Sequence, residues 1–178
     1  MKFLLKITIG ALIFIGCLVG IFMLGISYDN YEESKFYNIK TPKNLNLEKT
    51  VEFYNNQKLD SLNKLNVKSE KLIILGKGYS GYEFFMWHKP TEKGEIYLKA
   101  FEITQNIELS KEKLEDRTKN RITELSENYK MYKGSSIIYE GTFEKYYPAR
   151  FELWFKSEKT GIEEKLVEKS YLIDGWDR

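Results

Sequence analysis

The chain has 178 residues, 28 basic and 26 acidic side chains for a formal net charge of +2, one cysteine and one histidine. One cysteine allows no internal disulfide framework, and one histidine with one cysteine is too few for a zinc site built on those ligands. The near-neutral balance supplies no basic face for nucleic acid.

The first element is apolar. From Ile7 to Ile26 twenty residues pass without a charge, and at about 1.5 Å per residue such a helix spans the roughly 30 Å hydrocarbon core of a bilayer. Lys2 and Lys6 precede it, whereas Asp29, Glu32 and Glu33 follow with only Lys35 against them. The positive-inside rule therefore predicts a single-pass anchor over residues 1–27 in the cytoplasmic membrane. Contact with lipid runs through residues 7–27, the N-terminus is inside, and everything after Ser27 is extracytoplasmic. A signal peptide cleaved after Gly25-Ile26-Ser27 is the first alternative, but its apolar centre is usually only about 7 to 15 residues long. Acylation of Cys17 is the second, and mostly apolar residues follow Cys17 where a polar tether belongs. Gly16 and Gly20 have the small-x-x-x-small spacing of packed spans, although glycine is common in membrane helices anyway.

Setting Lys2 and Lys6 aside leaves 26 basic against 26 acidic residues, so the exported part is neutral. Its length suits one domain with a real core. Without cysteine it depends on packing, for which the 13 Tyr, 11 Phe and 3 Trp of the chain are a source. None of the asparagines falls in an N-x-S/T acceptor, which fits a bacterial envelope protein.

Residues 28–45 are polar with scattered tyrosines and Pro42, and read as a stalk below a domain over 46–178. Leu47, Val51, Tyr54, Leu62 and Leu65 fall near helical spacing and predict a helix over about Leu47 to Leu65, with a strand as the alternative. Period two then takes over. Lys71–Leu75 and Tyr82–Trp87 read as strands joined through the Gly76-Lys77-Gly78-Tyr79-Ser80-Gly81 turn, which lacks the Gly-Lys-Ser/Thr ending of a phosphate loop. Glu95–Thr104 alternates, with Ile96, Leu98, Ala100 and Glu102 on one side. Ser110 is the predicted N-cap of a short helix to Thr118. Ile137–Phe143 reads as a strand with a bulge at Gly141. Ala149–Phe155 is the cleanest strand, and Thr160-Gly161 turns into a last one from Glu164 to Ile173. The fold class predicted is mainly β: an antiparallel sandwich or open barrel with one or two short helices, behind a transmembrane helix.

No catalytic, metal or cofactor site emerges. His88 sits in Trp87-His88-Lys89-Pro90 at a strand end, with no G-x-S-x-G elbow elsewhere, and reads as an exposed or hydrogen-bonded histidine. No D-x-D-x-D-G calcium loop is present. Glu83, Glu95, Glu102, Glu140 and Glu152 leave open a pair of carboxylates across a cleft, as in a small hydrolase. The aromatics carry more weight: Tyr79, Tyr82, Phe85, Trp87, Tyr139, Tyr146, Tyr147, Trp154 and Trp176 exceed what this core needs. Trp154 points away from Phe151, Leu153 and Phe155, between Arg150 and Glu152. The candidate binding surface is therefore Trp154, Arg150, Glu152, Tyr146, Tyr147 and Trp87, with burial of Trp154 under a helix or tail as the competing reading.

The blocks GEIYLKAFEITQNIELSKEKLEDRT and IIYEGTFEKYYPARFELWF, with YLIDGWDR at the end, resemble a group of small bacterial envelope proteins and lipoproteins that share a YLKAFE…LS…RT and a YEG…YPARFELW pattern. The matching positions are Tyr97–Glu102, Leu109–Thr118 and Tyr139–Trp154. The group has no assigned activity, so the resemblance implies a bacterial origin and one continuous domain and transfers no functional residue. The resulting expectation is a non-enzymatic, membrane-anchored binding protein with a protein partner. Its specific form is an immunity protein against an envelope-acting toxin, and its alternatives are a carbohydrate- or wall-binding module and a carboxylate-dependent hydrolase.

Overall fold

The computed structural model describes residues 2–37, 39–43, 51–78, 81–142 and 145–175. Leu47, Tyr79, Phe143 and Trp176 lie outside the described residues. Helix α1 runs unbroken from Lys2 to Tyr37. Between Ile9 and Ile26 its large apolar side chains are 43–72% exposed. A helix apolar on all sides needs a core or a bilayer around it. The stretch Ile9–Tyr37 is long and apolar enough to cross a membrane by length and composition.

The polar residues 28–37, read above as stalk, continue this helix. It ends by docking on the domain: Phe36 is 6% exposed within the main core, its ring 5.0 Å from that of Tyr147. At the next residue, the Lys145 ammonium lies 4.7 Å from the Tyr37 ring.

The domain is mainly β, with two open antiparallel sheets. Strands β1 (Lys71–Gly76), β2 (Tyr82–His88) and β5 (Lys130–Ser136) form one sheet in the order β1-β2-β5. Strands β3 (Gly94–Glu102), β4 (Asn120–Ile122), β6 (Tyr147–Ser157) and β7 (Glu163–Ile173) form the other in the order β4-β3-β6-β7. Alternation decides what each sheet buries. Leu72, Ile74, Phe84 and Met86 meet Ile96, Leu98, Phe151 and Leu153 in one core, and the Phe84 and Phe151 rings are 5.8 Å apart across it. Strands β1 and β2 pair antiparallel, with Gly76 opposite Tyr82. Gly81 needs its φ of +82°, and a Cβ there would stand 2.4 Å from the Ser136 carbonyl oxygen.

Three expectations need correction. Among the described residues from 51 on, the helix predicted from Leu47 to Leu65 is confined to α2, Asn56–Asn63, capped by the Asn55 side chain, which accepts from Lys58 N at 2.8 Å. Residues before it are drawn onto the edge of β1, where Gly76 N donates to Glu52 O and Tyr54 N donates to Gly76 O. Those edge hydrogen bonds outweigh a weak helical periodicity. Second, the strand predicted at Ile137–Phe143 falls earlier, at Lys130–Ser136. Ile138 is buried in irregular chain, and Gly141 at φ +84° turns the backbone under the Tyr147 ring. Third, Ser110 does not cap α3 (Lys111–Thr118) through its side chain. Its hydroxyl donates to Glu140 Oε2 at 3.0 Å and accepts from Tyr139 N at 2.9 Å.

Helix α3 closes the gap between the two sheets. Thr118, fully buried, donates to Leu114 O at 2.7 Å and accepts from Leu98 N at 3.0 Å. Gly134 of β5 makes this approach possible, because a Cβ there would be 2.7 Å from Thr118 Cα. On the outer face of the three-stranded sheet, α2 covers a second cluster of Leu62, Leu75, Phe85 and Trp87.

Candidate functional site

The outer face of β3, β6 and β7 is crossed by no helix among the described residues, and its polar groups are tied together. Register sets the pattern: Tyr97 stands opposite Trp154, Lys99 opposite Glu152, and Phe101 opposite Arg150. On the other side of β6, Glu168 faces Glu152 and Lys165 faces Trp154, after a bulge that leaves Leu166 unmatched.

Glu152 is the hub. It is 4% exposed, and its carboxylate accepts from Arg150 Nε at 2.8 Å, Trp154 Nε1 at 3.0 Å and Lys165 Nζ at 3.5 Å. Three donors offset the cost of removing this charge from water. Arg150 also reaches Asn106 Oδ1 at 3.1 Å and lies 5.2 Å from the Phe101 ring centre. Lys165 donates to Glu168 at 2.7 Å. That hydrogen bond raises the lysine pKa and lowers that of Glu168.

Beside this hub, the Lys99 ammonium sits 4.7 Å from the Trp154 ring centre and 5.5 Å from that of Tyr97, and donates to Glu163 Oε2 at 3.1 Å. Lys99 holds the Glu163 carboxyl below its ordinary value, helped by the Tyr97 hydroxyl. Burial, then Glu163, pushes the Tyr97 hydroxyl up. The result is a sheet face whose aromatic and charged side chains hold one another in place.

Of the six surface residues expected from sequence, Trp154 and Arg150 are half-buried on this face and Glu152 is the buried carboxylate beneath them. Trp87 and Tyr147 are corrected: both are core, at 3% and 0% exposure. Trp87 is covered by α2, whereas the inward phase of β6 places Tyr147 under Phe36. Tyr146 is 49% exposed but lies just before β6, near α1, and not on the lattice. Sequence reasoning missed Tyr97, Lys99, Glu163 and Lys165. Alternation marks Tyr97 and Lys99 as outward, but only the register puts them beside Trp154.

The groups considered for chemistry are committed elsewhere. His88 is 6% exposed, not at the surface, with Nδ1 3.2 Å from Glu70 Oε2 and its ring stacked 5.3 Å from Phe155. Glu83 accepts from Lys77 at 2.7 Å, Glu140 accepts from Ser110, and Glu102 accepts from Thr104 N and Gln105 N, each at 2.6 Å. Each of these carboxylates is fixed to a local donor instead of facing another across a cleft. Among the described residues no group of three or more His, Cys, Asp or Glu is placed to hold a metal ion.

The free edge of this sheet is guarded. β7 carries Glu163, Glu164, Lys165, Glu168 and Lys169 along with the bulge, features that oppose strand addition. No protein family, no curated protein and no solved structure matches the chain.

Proposed function

We propose that this chain is a membrane-anchored, extracytoplasmic binding protein that presents the outer face of β3, β6 and β7 to a protein partner. The observation that carries the reading is the lattice of half-buried Trp154, Lys99 and Arg150 around the buried Glu152 and Tyr97, on a sheet face that no helix among the described residues crosses. Aromatic and arginine side chains are the residues that carry binding energy at protein interfaces. Here they are already fixed by one another, so a partner orders few further rotamers, each of which would otherwise cost about 0.5–1.5 kcal/mol. Both signs of charge are interleaved, which suits a folded protein surface and not a polyanion.

Orientation follows from Lys2 and Lys6 on one flank and Asp29, Glu32 and Glu33 on the other. From Ser27 to Phe36 the helix rises about 14 Å before it docks on the domain, so the anchor sets the height of the binding face above the bilayer. Protection against an envelope-acting toxin is the form of the activity that needs only such a face.

A photo-crosslinker at Trp154 or Lys156 is expected to capture one defined envelope protein, and the W154A/K99A pair to release it. Equal capture from Ile162, on the β6–β7 turn, would sink the reading. Where the captured partner is a toxin, cells carrying the intact chain survive it and cells carrying W154A do not. An impermeant thiol reagent should label a cysteine placed at Ile162 in intact cells, and failure to label it would reverse the topology.

A further inference from the structure

A second open feature lies on the opposite side of the domain. Between the end of α2 with its following loop and the chain entering β5 is a cleft of about 610 Å³, within the roughly 300–1,000 Å³ usual for small-ligand sites. Leu62, Val67, Trp87 and Met131 form its apolar floor, and half-buried Tyr129 stands in its wall. Around the rim are three exposed carboxamides, Asn63, Asn66 and Asn128.

These rim groups differ from the lattice on the other sheet. There every charged side chain named is spent on a neighbour. Here, among the described residues, the Asn63, Asn66 and Asn128 side chains make no hydrogen bond. The charges that line the cleft are Lys68 and Glu127, of opposite sign, and Glu127 already pairs with Lys89 at 2.9 Å. The cleft therefore offers neutral donors and acceptors with no cluster of like charges.

We infer that this cleft binds a neutral carbohydrate, a short oligosaccharide of unmodified or N-acetylated sugars. A carboxamide presents an acceptor oxygen and two N–H donors on one plane, and sugar hydroxyls require both. The apolar floor takes the C–H face of a pyranose ring, and Tyr129 gives it an aromatic wall. A phosphorylated or strongly acidic ligand finds a single lysine, Lys68, and the Glu127 carboxylate on the same lining. A peptide bound by strand addition would run along a strand edge, whereas the cleft is walled by the α2 loop and by residues 127–129 before β5. The position fits as well. β2 runs from Tyr82, beside Asp174 at the end where α1 docks, to Trp87 and His88 at the far end, so the cleft faces away from the anchor. The inference uses neither Trp154 nor its face and stands or falls apart from the partner proposed above.

The test uses the full chain in lipid nanodiscs, free of sugar-based detergent, titrated with maltotriose, cellotriose and chitotriose and followed by nuclear magnetic resonance of side-chain amides and tryptophan indoles. At least one trisaccharide is expected to shift the amides of Asn63, Asn66 and Asn128 and the Trp87 indole while leaving Trp154 unmoved. The N66A/N128A double variant changes two exposed side chains, keeps the circular dichroism of the parent, and should weaken binding by about tenfold or more, the equivalent of about 1.4 kcal/mol. W154A should bind the sugar as the parent does. Absence of binding to all three sugars at millimolar concentration overturns the inference, as does binding that N66A/N128A leaves intact. Shifts of the same amides by an acidic peptide or a nucleotide, with none from sugar, assign the cleft to that other class and overturn it equally.

Discussion

Phe36, on the last turn of α1, packs its ring 5.0 Å from that of Tyr147, the first residue of β6, with the planes inclined at 53°. Tyr147 is wholly buried, and its hydroxyl donates to Glu140 O at 2.8 Å. The apolar helix is therefore joined to the core through a buried aromatic pair, not a slack linker. Phe36→Ala removes one ring and uncovers the other, and large-to-small changes of buried phenylalanine cost about 3–5 kcal/mol. A chain starting at residue 28 retains Phe36, whereas one starting at residue 39 loses it. Chemical denaturation should rank the first fragment well above the second, with F36A in the first matching the second. Equal stability of the two fragments would show that the contact contributes nothing.

Thr118 joins α3 to the open edge of β3 by accepting from Leu98 N and donating to Leu114 O. Thr118→Val preserves shape and removes both hydrogen bonds, leaving a buried backbone N–H unpaired at a cost of about 1–3 kcal/mol. Amide exchange at Leu98 should accelerate selectively in T118V while Phe151, in the same sheet, keeps its protection. Gly134→Ala should destabilise by a comparable amount, since the new methyl meets Thr118 Cα at 2.7 Å and backbone has to move. If Leu98 exchanged at the same rate in both backgrounds, the bridge would have no weight.

These two contacts mark where the sequence is legible and where it is not. Period two in Glu95–Thr104 and Ala149–Phe155 specifies strands β3 and β6 and the inward phase of Ile96, Leu98, Phe151 and Leu153, because those core-facing positions are aliphatic or aromatic and the opposite positions mix charge with aromatics. The apolar run at Ile7–Ile26 specifies a long helix equally well. Strand β5 was missed because Lys-Met-Tyr-Lys-Gly-Ser-Ser has little apolar content, and its place is fixed by pairing with β2 and by room for Thr118. Trp154 was legible as an outward residue. That Glu152 beside it is buried could not be read from β6 alone, since Lys165 and Glu168 come from β7 and the Leu166 bulge sets their phase. Phe36 was hidden for another reason: in a polar segment one aromatic has no periodic company.

Glu152→Ala tests the lattice. The change leaves Arg150, Lys165 and the Trp154 indole N–H without their shared acceptor, so Trp154 should gain mobility and its fluorescence should shift to longer wavelength. Stability should fall by about 1–3 kcal/mol. Glu152→Gln retains an acceptor for the indole and should fall between the two. Partner capture through Trp154 should weaken in E152A even where the fold survives, because the ring is no longer held. Unchanged emission from Trp154 in E152A would mean that strand packing alone positions it.

Alkaline pH should reveal the buried tyrosines. Tyr82 donates to Asp174 Oδ1 at 2.8 Å and Tyr147 to Glu140 O at 2.8 Å. Burial first, and the nearby carboxylates next, raise both hydroxyls well above the ordinary tyrosine value of about 10. In the unfolded chain these groups lose their protons from about pH 10, whereas in the folded chain they keep them. The folded state then binds more protons, so stability is fully present below about pH 10 and declines as pH rises further. Titration of tyrosinate absorbance should show most of the 13 tyrosines ionising while β circular dichroism is intact. Tyr82 and Tyr147 should ionise only as that signal is lost, and Tyr97, also raised by burial and Glu163, should titrate late with them. In Y82F the late step should shrink by one tyrosine. A single ionisation step near pH 10 for all tyrosines, with the fold unchanged, would show that neither hydroxyl is protected.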